Sequence, residues 1–432
     1  MKQYNSYKVS RAFGLQKSII VLFLLGLSIF IQAQDSIYAR RIMLKLGSEE
    51  FGGRGYVDNG NKIAADFVRS EFQRDSLKFF GNDYYQKFSI PINTIQDVQY
   101  LKIDNKTLIP GTDYYIHNAS KSLKGKYELL FVDDSLFVND MEYMLSILNK
   151  PNLKKTVLVF SKANRDIQFG FKAEVAGLVF RHKQLPPWGF SHAQQPVDYA
   201  IIDVLESKLS SKSKEINIKF KAKYYKEYPT QNIIGYVLGK KEPDSFIVIG
   251  AHYDHMGKMG HKVYFPGGND NASGSSMMLN FAKYYSEAEH QPDYSIVFLS
   301  FSGEEVGLLG SVYYVKHPLF DMRQIKFMMN LDMVGTGSKG IVVVNGTVFK
   351  KEFARITEIN NEKKYLPRVK VRGESCNSDH CPFYMSGVPS FFIYTTGDEY
   401  KEYHSPKDKS EDVPLTNYNG VFRLVRDFID GF

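Results

Sequence analysis

The chain has 432 residues, of which 43% are hydrophobic, 14% aromatic and 24% charged. That composition excludes a disordered chain, and the length allows two domains with cores of their own. The longest apolar run, residues 18–31, falls short of the roughly 20 residues that span a bilayer, and two cysteines exclude both a disulfide scaffold and a cysteine-rich zinc module.

The formal net charge is +8, unevenly placed. Lys2, Lys8, Arg11 and Lys17 precede the apolar run, and no acid occurs before Asp35. The remaining positive charge is spread without long basic blocks, so no nucleic-acid partner is expected. Basic residues, the apolar run and then Gln32-Ala33-Gln34 read as a secretory signal peptide over 1–33, cut near Ala33. An uncleaved signal anchor is the alternative. Either way the bulk of the chain is expected outside the cytoplasm, in a periplasm or the extracellular space. Apart from this segment no membrane association is expected. In an oxidising compartment Cys376 and Cys381 read as a disulfide, with free thiols or metal ligands as the alternative. So short a ring would contribute only about 2 kcal/mol, and its use would be to shape one loop.

Residues 39–46 read as helical, and 51–55 form the glycine-rich loop Phe-Gly-Gly-Arg-Gly. Ile63, Ala64, Phe67, Val68 and Phe72 recur at helical spacing, which predicts an amphipathic helix over 60–73. From 98 to 226 short β-like runs appear at 127–132, 156–160, 177–180, 199–203 and 216–222. This stretch reads as a smaller, mainly-β domain inserted between a first part, 34–97, and a main part, 227–432. The main part alternates strand with helix. Strands are expected at 245–251, 294–302, 326–334, 341–344 and 389–394, with helices at 272–289 and 305–317. Near-continuous apolar strands between helices predict an α/β fold with a mostly parallel twisted sheet covered on both faces.

The strongest strands end in polar clusters. Residues 245–251 lead into His252-Tyr253-Asp254-His255, 294–302 into Gly303-Glu304-Glu305, and 326–331 into Asp332. Asn269-Asp270-Asn271 precedes a helix, and His404 follows the last strand. Ligands of open α/β sheets sit beyond the carboxyl ends of the strands, so these clusters are expected to meet at one sheet edge. His252, Asp270, Glu305, Asp332 and His404 would supply two imidazoles and three carboxylates, a set suited to a pair of zinc ions. Two close dications need a bridging carboxylate, and Asp270, whose loop lies between the others, is the candidate. Glu304 is left over as a general base.

These residues resemble the co-catalytic-zinc aminopeptidases of metallopeptidase family 28. The matching pieces run in order: Gly250-Ala-His252-Tyr-Asp254-His255, Gly268-Asn-Asp270-Asn-Ala-Ser-Gly274, Phe301-Ser-Gly-Glu304-Glu305-Val-Gly-Leu-Leu-Gly-Ser311, Asn330-Leu-Asp332-Met-Val-Gly335, Ser378-Asp-His380 and His404-Ser-Pro-Lys-Asp408. The resemblance covers 231–432 and, loosely, 35–97. It implies a zinc-exopeptidase-like fold and removal of N-terminal residues from peptide substrates. His252 and Asp332 would hold one zinc, Glu305 and His404 the other, and Asp270 both. Glu304 would pass a proton from a metal-bridged water to the leaving amine, and Asp254 would orient His252. The middle segment is similar to a protease-associated domain. Asn269 stands where the family often has Asp, a change that touches local loop charge and not the metal ligands.

Alternatives stay open at several residues. His192, His255 and His261 read as structural. The segment 378–380 lines the substrate site or forms a turn, and Tyr253, Tyr400 and Tyr403 are candidates for a side-chain pocket. A carboxypeptidase on the same scaffold would need a cation for the substrate carboxylate, and Arg372 is its candidate. A single-zinc glutaminyl cyclase, and a binding protein without activity, are the remaining readings. The oligomeric state is not legible.

Overall fold

The computed structural model describes residues 36–172, 174–190 and 193–432. The expected signal segment and His192 lie outside the described residues. The described residues begin with two helices, α1 (Ser36–Leu46) and α2 (Gly60–Arg74), followed by a long strand β1 (Tyr85–Ile103) with a short partner β2 (Lys106–Thr107). Next come β3 (Tyr114–Ile116), β4 (Leu123–Phe131), α3 (Asp134–Asn139), α4 (Met141–Leu148), β5 (Thr156–Phe160), α5 (Arg165–Gly170), β6 (Gly177–His182), β7 (Ala200–Leu205) and β8 (Glu215–Val237). The main part holds β9 (Glu242–His252), the hairpin β10 (Gly257–Met259) and β11 (Val263–Phe265), α6 (Gly274–Ser286), β12 (Tyr294–Phe301), α7 (Leu309–Lys316), β13 (Ile325–Leu331) and β14 (Ile341–Val344). It closes with α8 (Lys350–Lys363), β15 (Val369–Val371), α9 (His380–Met385), β16 (Ser390–Thr395) and α10 (Tyr418–Asp430).

One mixed sheet runs through both parts in the order β15-β14-β16-β13-β9-β12-β8-β4-β5-β6-β7-β3. At its centre β12, β9, β13 and β16 are parallel. Their side chains alternate between two cores, as the two-residue period of a strand requires. Ile247, Ile249 and Ala251 face α1, α2, α6 and α10, while Phe246 and Val248 face Tyr314 of α7 and Phe383 of α9. Covered on both faces, these strands have to be apolar throughout, which is the pattern the sequence shows.

The inserted part is joined to the rest by strands. Ile233–Val237 of β8 pair with β12, and Ile216–Phe220 of the same strand pair with β4. Strand β1 pairs with β8 along nearly its whole length, interrupted by register shifts near Ile90, Ile95 and Val98. The boundaries drawn at 97/98 and 226/227 therefore cut strands and not loops. The paired ribbon of β1 and β8 passes from one core to the next without a loop at either boundary. Strands β4, β5, β6 and β7 are parallel. Phe137 of α3, Ile147 of α4 and Ile167 of α5 cover one face, with Leu158, Phe160, Leu178 and Phe180. Among the described residues no helix is long and apolar enough to cross a membrane.

Candidate metal centre

Two of the expected helices start late, and the site is built in the residues they give up. The helix expected over 272–289 begins at Gly274. An irregular turn, residues 268–273, precedes it and carries Asp270. The helix expected from 305 begins at Leu309, because Gly307 at φ 109° and Leu308 at φ 61° break the helical path. Glu304 and Glu305 thus stay in a turn beyond β12. The strand expected over 326–334 ends at Leu331, and Met333 at φ 58° turns the chain just after Asp332.

The carboxyl ends of β9, β12 and β13 bring His252, Glu305 and Asp332 together with Asp270 and His404. His252 Nε2 lies 3.4 Å from Asp270 Oδ1 and 3.4 Å from Asp332 Oδ1. His404 Nε2 lies 2.9 Å from Asp270 Oδ2 and 3.3 Å from Glu305 Oε2. Asp270 therefore turns one oxygen to each imidazole. Glu304 falls in a group with His252 and Asp332.

The donor set fits metal. Two ligand atoms at about 2.0–2.1 Å from one tetrahedral zinc lie about 3.3 Å apart, close to the four separations above. His404 Nε2 and Asp332 Oδ1 are buried without a hydrogen-bond partner although oxygen or nitrogen atoms stand nearby. Unpaired buried polar atoms are costly, and a cation beside each of the two would satisfy it. Burial alone would push the His252 and His404 imidazoles down. For His252 the Glu304, Asp332 and Asp270 carboxylates outweigh it and hold the group well above its ordinary value. Glu305 and Asp270 push His404 up to about 10. Asp270 is held well below the usual carboxylate range against its burial, by His252 and His404. Each imidazole thus occupies a place where positive charge is favoured, and a metal would displace that proton. Glu304 differs: burial, with Glu305, Asp379 and Asp332 nearby, holds it well above its ordinary value despite His252.

A second layer holds these groups. The Asp254 carboxylate lies 3.9 Å from His252 Nδ1, too far for a hydrogen bond. The expected orienting contact comes instead from the Asp254 main-chain carbonyl at 3.1 Å, because the chain turns just after β9. The carboxylate itself accepts from the Glu304 N–H at 3.2 Å and the Tyr56 hydroxyl at 3.0 Å. Ser378 Oγ donates to Asp332 Oδ2 at 2.8 Å. Asp379 accepts from Ser311 Oγ at 2.5 Å, and burial pushes it up to about 7. The Cys376–Cys381 disulfide closes a short ring that contains Ser378 and Asp379.

The Asp270 loop is gripped from both sides. Arg54, fully buried, donates to the carbonyls of Leu46, Tyr253, Pro266, Gly267 and Asp270. Asp408 accepts from the N–H groups of Asn269 and Asp270, at 2.8 and 3.1 Å, and from Tyr400 Oη at 2.8 Å. Gly267, at φ 61°, has no room for a side chain: a Cβ there would stand 2.5 Å from the Arg54 guanidinium. Asn269 accepts from the Gly335 N–H at 3.0 Å.

Three readings of side chains change. His255, taken as structural, belongs to the cluster: its Nδ1 lies 2.7 Å from Glu305 Oε1, and its buried Nε2 has no partner. It stands three residues after His252, a spacing that signals a shared site only once the strand end is known to turn. Of the three tyrosines, Tyr253 is buried with its hydroxyl on the Gln231 carbonyl, and Tyr400 is engaged by Asp408. Tyr403, half-exposed, stacks on the His404 ring at 3.8 Å. His261 is exposed and 3.3 Å from Asp58. Arg372 is exposed as well.

Fold and site together define an α/β protein that gathers metal ligands beyond the carboxyl ends of parallel strands. Residues 232–429 match the model of Peptidase family M28. Aminopeptidase YwaD of Bacillus subtilis (strain 168) is 32% identical over 213 residues, 47% of this chain and 44% of that protein. A glutamate carboxypeptidase 2 homolog of Caenorhabditis elegans is 29% identical over 208 residues, 40% of this chain and 26% of that protein. The chain spans less than half the length of these curated relatives. The solved structure of BSAP, a zinc aminopeptidase from Bacillus subtilis, superposes with a TM-score of 0.70 at 22% identity, covering 92% of this chain and 95% of that one. That likeness establishes a shared fold across both parts.

Proposed function

We propose that the chain is a zinc-dependent aminopeptidase that holds two zinc ions and removes N-terminal residues from peptides outside the cytoplasm. The observation that carries this reading is the division of Asp270, one oxygen toward His252 and the other toward His404. His252 and Asp332 would hold one ion, Glu305 and His404 the other, and Asp270 both. Zinc at such a site supplies a Lewis acid for the scissile carbonyl and lowers the pKa of water.

The protein's own groups do the rest. Glu304 is the proton carrier: its backbone N–H is fixed by Asp254, and its high proton affinity suits it to take a proton and return it to the leaving amine. Glu305 is steadied by His255 and Asp332 by Ser378, so that ligand oxygens keep their directions. Support for the aminopeptidase direction comes from the name of the Bacillus subtilis relative and from Arg372. Its nearest polar contacts, Tyr394 Oη and Ser375 Oγ, are 3.4 Å away on the surface, a poor seat for a substrate carboxylate. Support for export comes from the basic and apolar lead of residues 1–33 and from the Cys376–Cys381 disulfide, a bond of oxidising compartments.

Metal analysis and a paired assay on aminoacyl-nitroanilides and their N-acetylated forms test the reading. Two zinc ions per chain and cleavage of the free-amine substrates only are expected. One ion, or equal cleavage of the blocked substrates, would overturn it.

A further inference from the structure

We propose that Trp188, from the inserted part, is a positioning residue of the metal centre, seated between the loop that leads to Asp270 and the loop that carries His404. The inference rests on the zinc reading above and deepens it. Residues 98–226 were expected to form a separate domain, yet one face of their sheet packs on the site. Val157, Val179, Ile202 and Val204 share an apolar cluster with Tyr56, Met256, Phe265 and Val306 of the peptidase part. Trp188 lies in that cluster at 2% exposure.

Its contacts reach metal-site loops directly. The indole stacks on Phe265 at 4.4 Å with the ring planes 14° apart, and Pro266-Gly267 then lead to Asp270. The indole Nε1–H donates to the Ile116 carbonyl at 2.8 Å, which ties the ring to the inserted sheet. The Trp188 backbone N–H donates to the carbonyl of His404 itself at 3.0 Å. His404 has φ 48°, a left-handed backbone that a non-glycine residue keeps only where its surroundings hold it there. Pro186 and Pro187 restrict the approach of the segment. Phe190 meets Tyr56 edge-on at 6.1 Å, and the Tyr56 hydroxyl reaches the Asp254 carboxylate that fixes Glu304. Gln194 donates to the carbonyl of Val306, the residue after Glu305.

The inserted part therefore braces the half of the site built by His404 and Glu305. An insertion that merely needed to bury an apolar face would have no reason to spend a backbone hydrogen bond on a ligand residue. The single tryptophan of the chain is also a built-in reporter of that half.

The test uses the full chain stripped of metal, with zinc alone as the probe. Zinc is titrated into the wild type, Trp188→Phe and Trp188→Ala, each followed by chelator competition, with circular dichroism to establish folding. Wild-type tryptophan emission is expected to change as zinc enters. Trp188→Ala is expected to keep one ion at wild-type affinity and to bind the other about 10- to 100-fold more weakly, the range for lost outer-layer support. Trp188→Phe keeps a ring on Phe265 and is expected to fall between the two. Should Trp188→Ala not fold, Trp188→Phe and the wild-type emission decide. A folded Trp188 variant with both ions at wild-type affinity, or emission indifferent to zinc, would overturn the role of Trp188. A wild type that takes up no zinc would instead overturn the zinc reading.

Discussion

The two halves of the site are held in different ways. His252 and Asp332 stand at the ends of β9 and β13, neighbouring parallel strands, where the sheet itself sets their spacing. Glu305 and His404 stand on turns and owe their positions to other groups: the His255 side chain on Glu305, Asp408 between the His404 and Asp270 loops, Arg54 beneath the Asp270 loop, and the Trp188 backbone N–H on the His404 carbonyl. Asp270 belongs to both. A ligand on a strand end comes with its register, whereas a ligand on a turn needs a brace for each degree of freedom. The strand-held half should tolerate loss of its neighbours, and the turn-held half should not.

Glu304 lies outside that contrast and should show the largest effect. Glu304→Gln is expected to lower kcat by about 10²–10⁴-fold, the span of a lost proton carrier, with zinc content unchanged in both halves. Loss of metal along with activity would show that Glu304 helps hold an ion and would blur the comparison. Next comes Arg54→Met, which takes the guanidinium away from five buried carbonyls. It is expected to destabilise the protein by about 3–5 kcal/mol in denaturant unfolding, as for other broken buried charge networks. An unchanged midpoint would mean that the Asp270 loop stands without the guanidinium.

Asp408→Asn sharpens the contrast most. With one acceptor replaced by a donor, the Asn269 and Asp270 N–H groups compete for a single oxygen. Zinc affinity of the His404 half is expected to fall about 10- to 100-fold, and that of the His252 half to stay within a few-fold. Ser378→Ala, its counterpart on the strand-held side, is expected to change zinc affinity less, and an equal loss would erase the distinction. The smallest effect belongs to the Cys376–Cys381 ring. Replacing both by serine is expected to cost about 2 kcal/mol by the chain-entropy model, read as a lower unfolding midpoint, with the metal content retained.

The same contrast sorts what was legible in the sequence. Strand ends announce themselves: apolar runs that stop at His252, at Gly303-Glu304-Glu305 and at Asp332 locate ligands by hydrophobic pattern alone, and the mostly parallel sheet follows from those runs. His404 and Asp270 came from motif order and residue chemistry, since nothing periodic surrounds them. The braces were hidden. Arg54 sits in a glycine-rich loop some 200 residues from four of the five carbonyls it holds, and no local pattern reveals partners that distant. His255 reads as structural because a single histidine at a strand end more often is. The inserted part looked detachable because the change in composition near 98 marks a change of core, while β1 and β8 run on unbroken beneath it. Residue chemistry points to the Asp254 carboxylate, whereas the turn after β9 brings its main-chain carbonyl to the imidazole.

Diffraction from crystals of the zinc-loaded protein at the zinc absorption edge tests the central claim most directly. Two anomalous peaks about 3.5–4 Å apart are predicted, one beside His252 and Asp332, the other beside His404 and Glu305, with Asp270 between them. A single peak, or a second one away from Asp270, would contradict it.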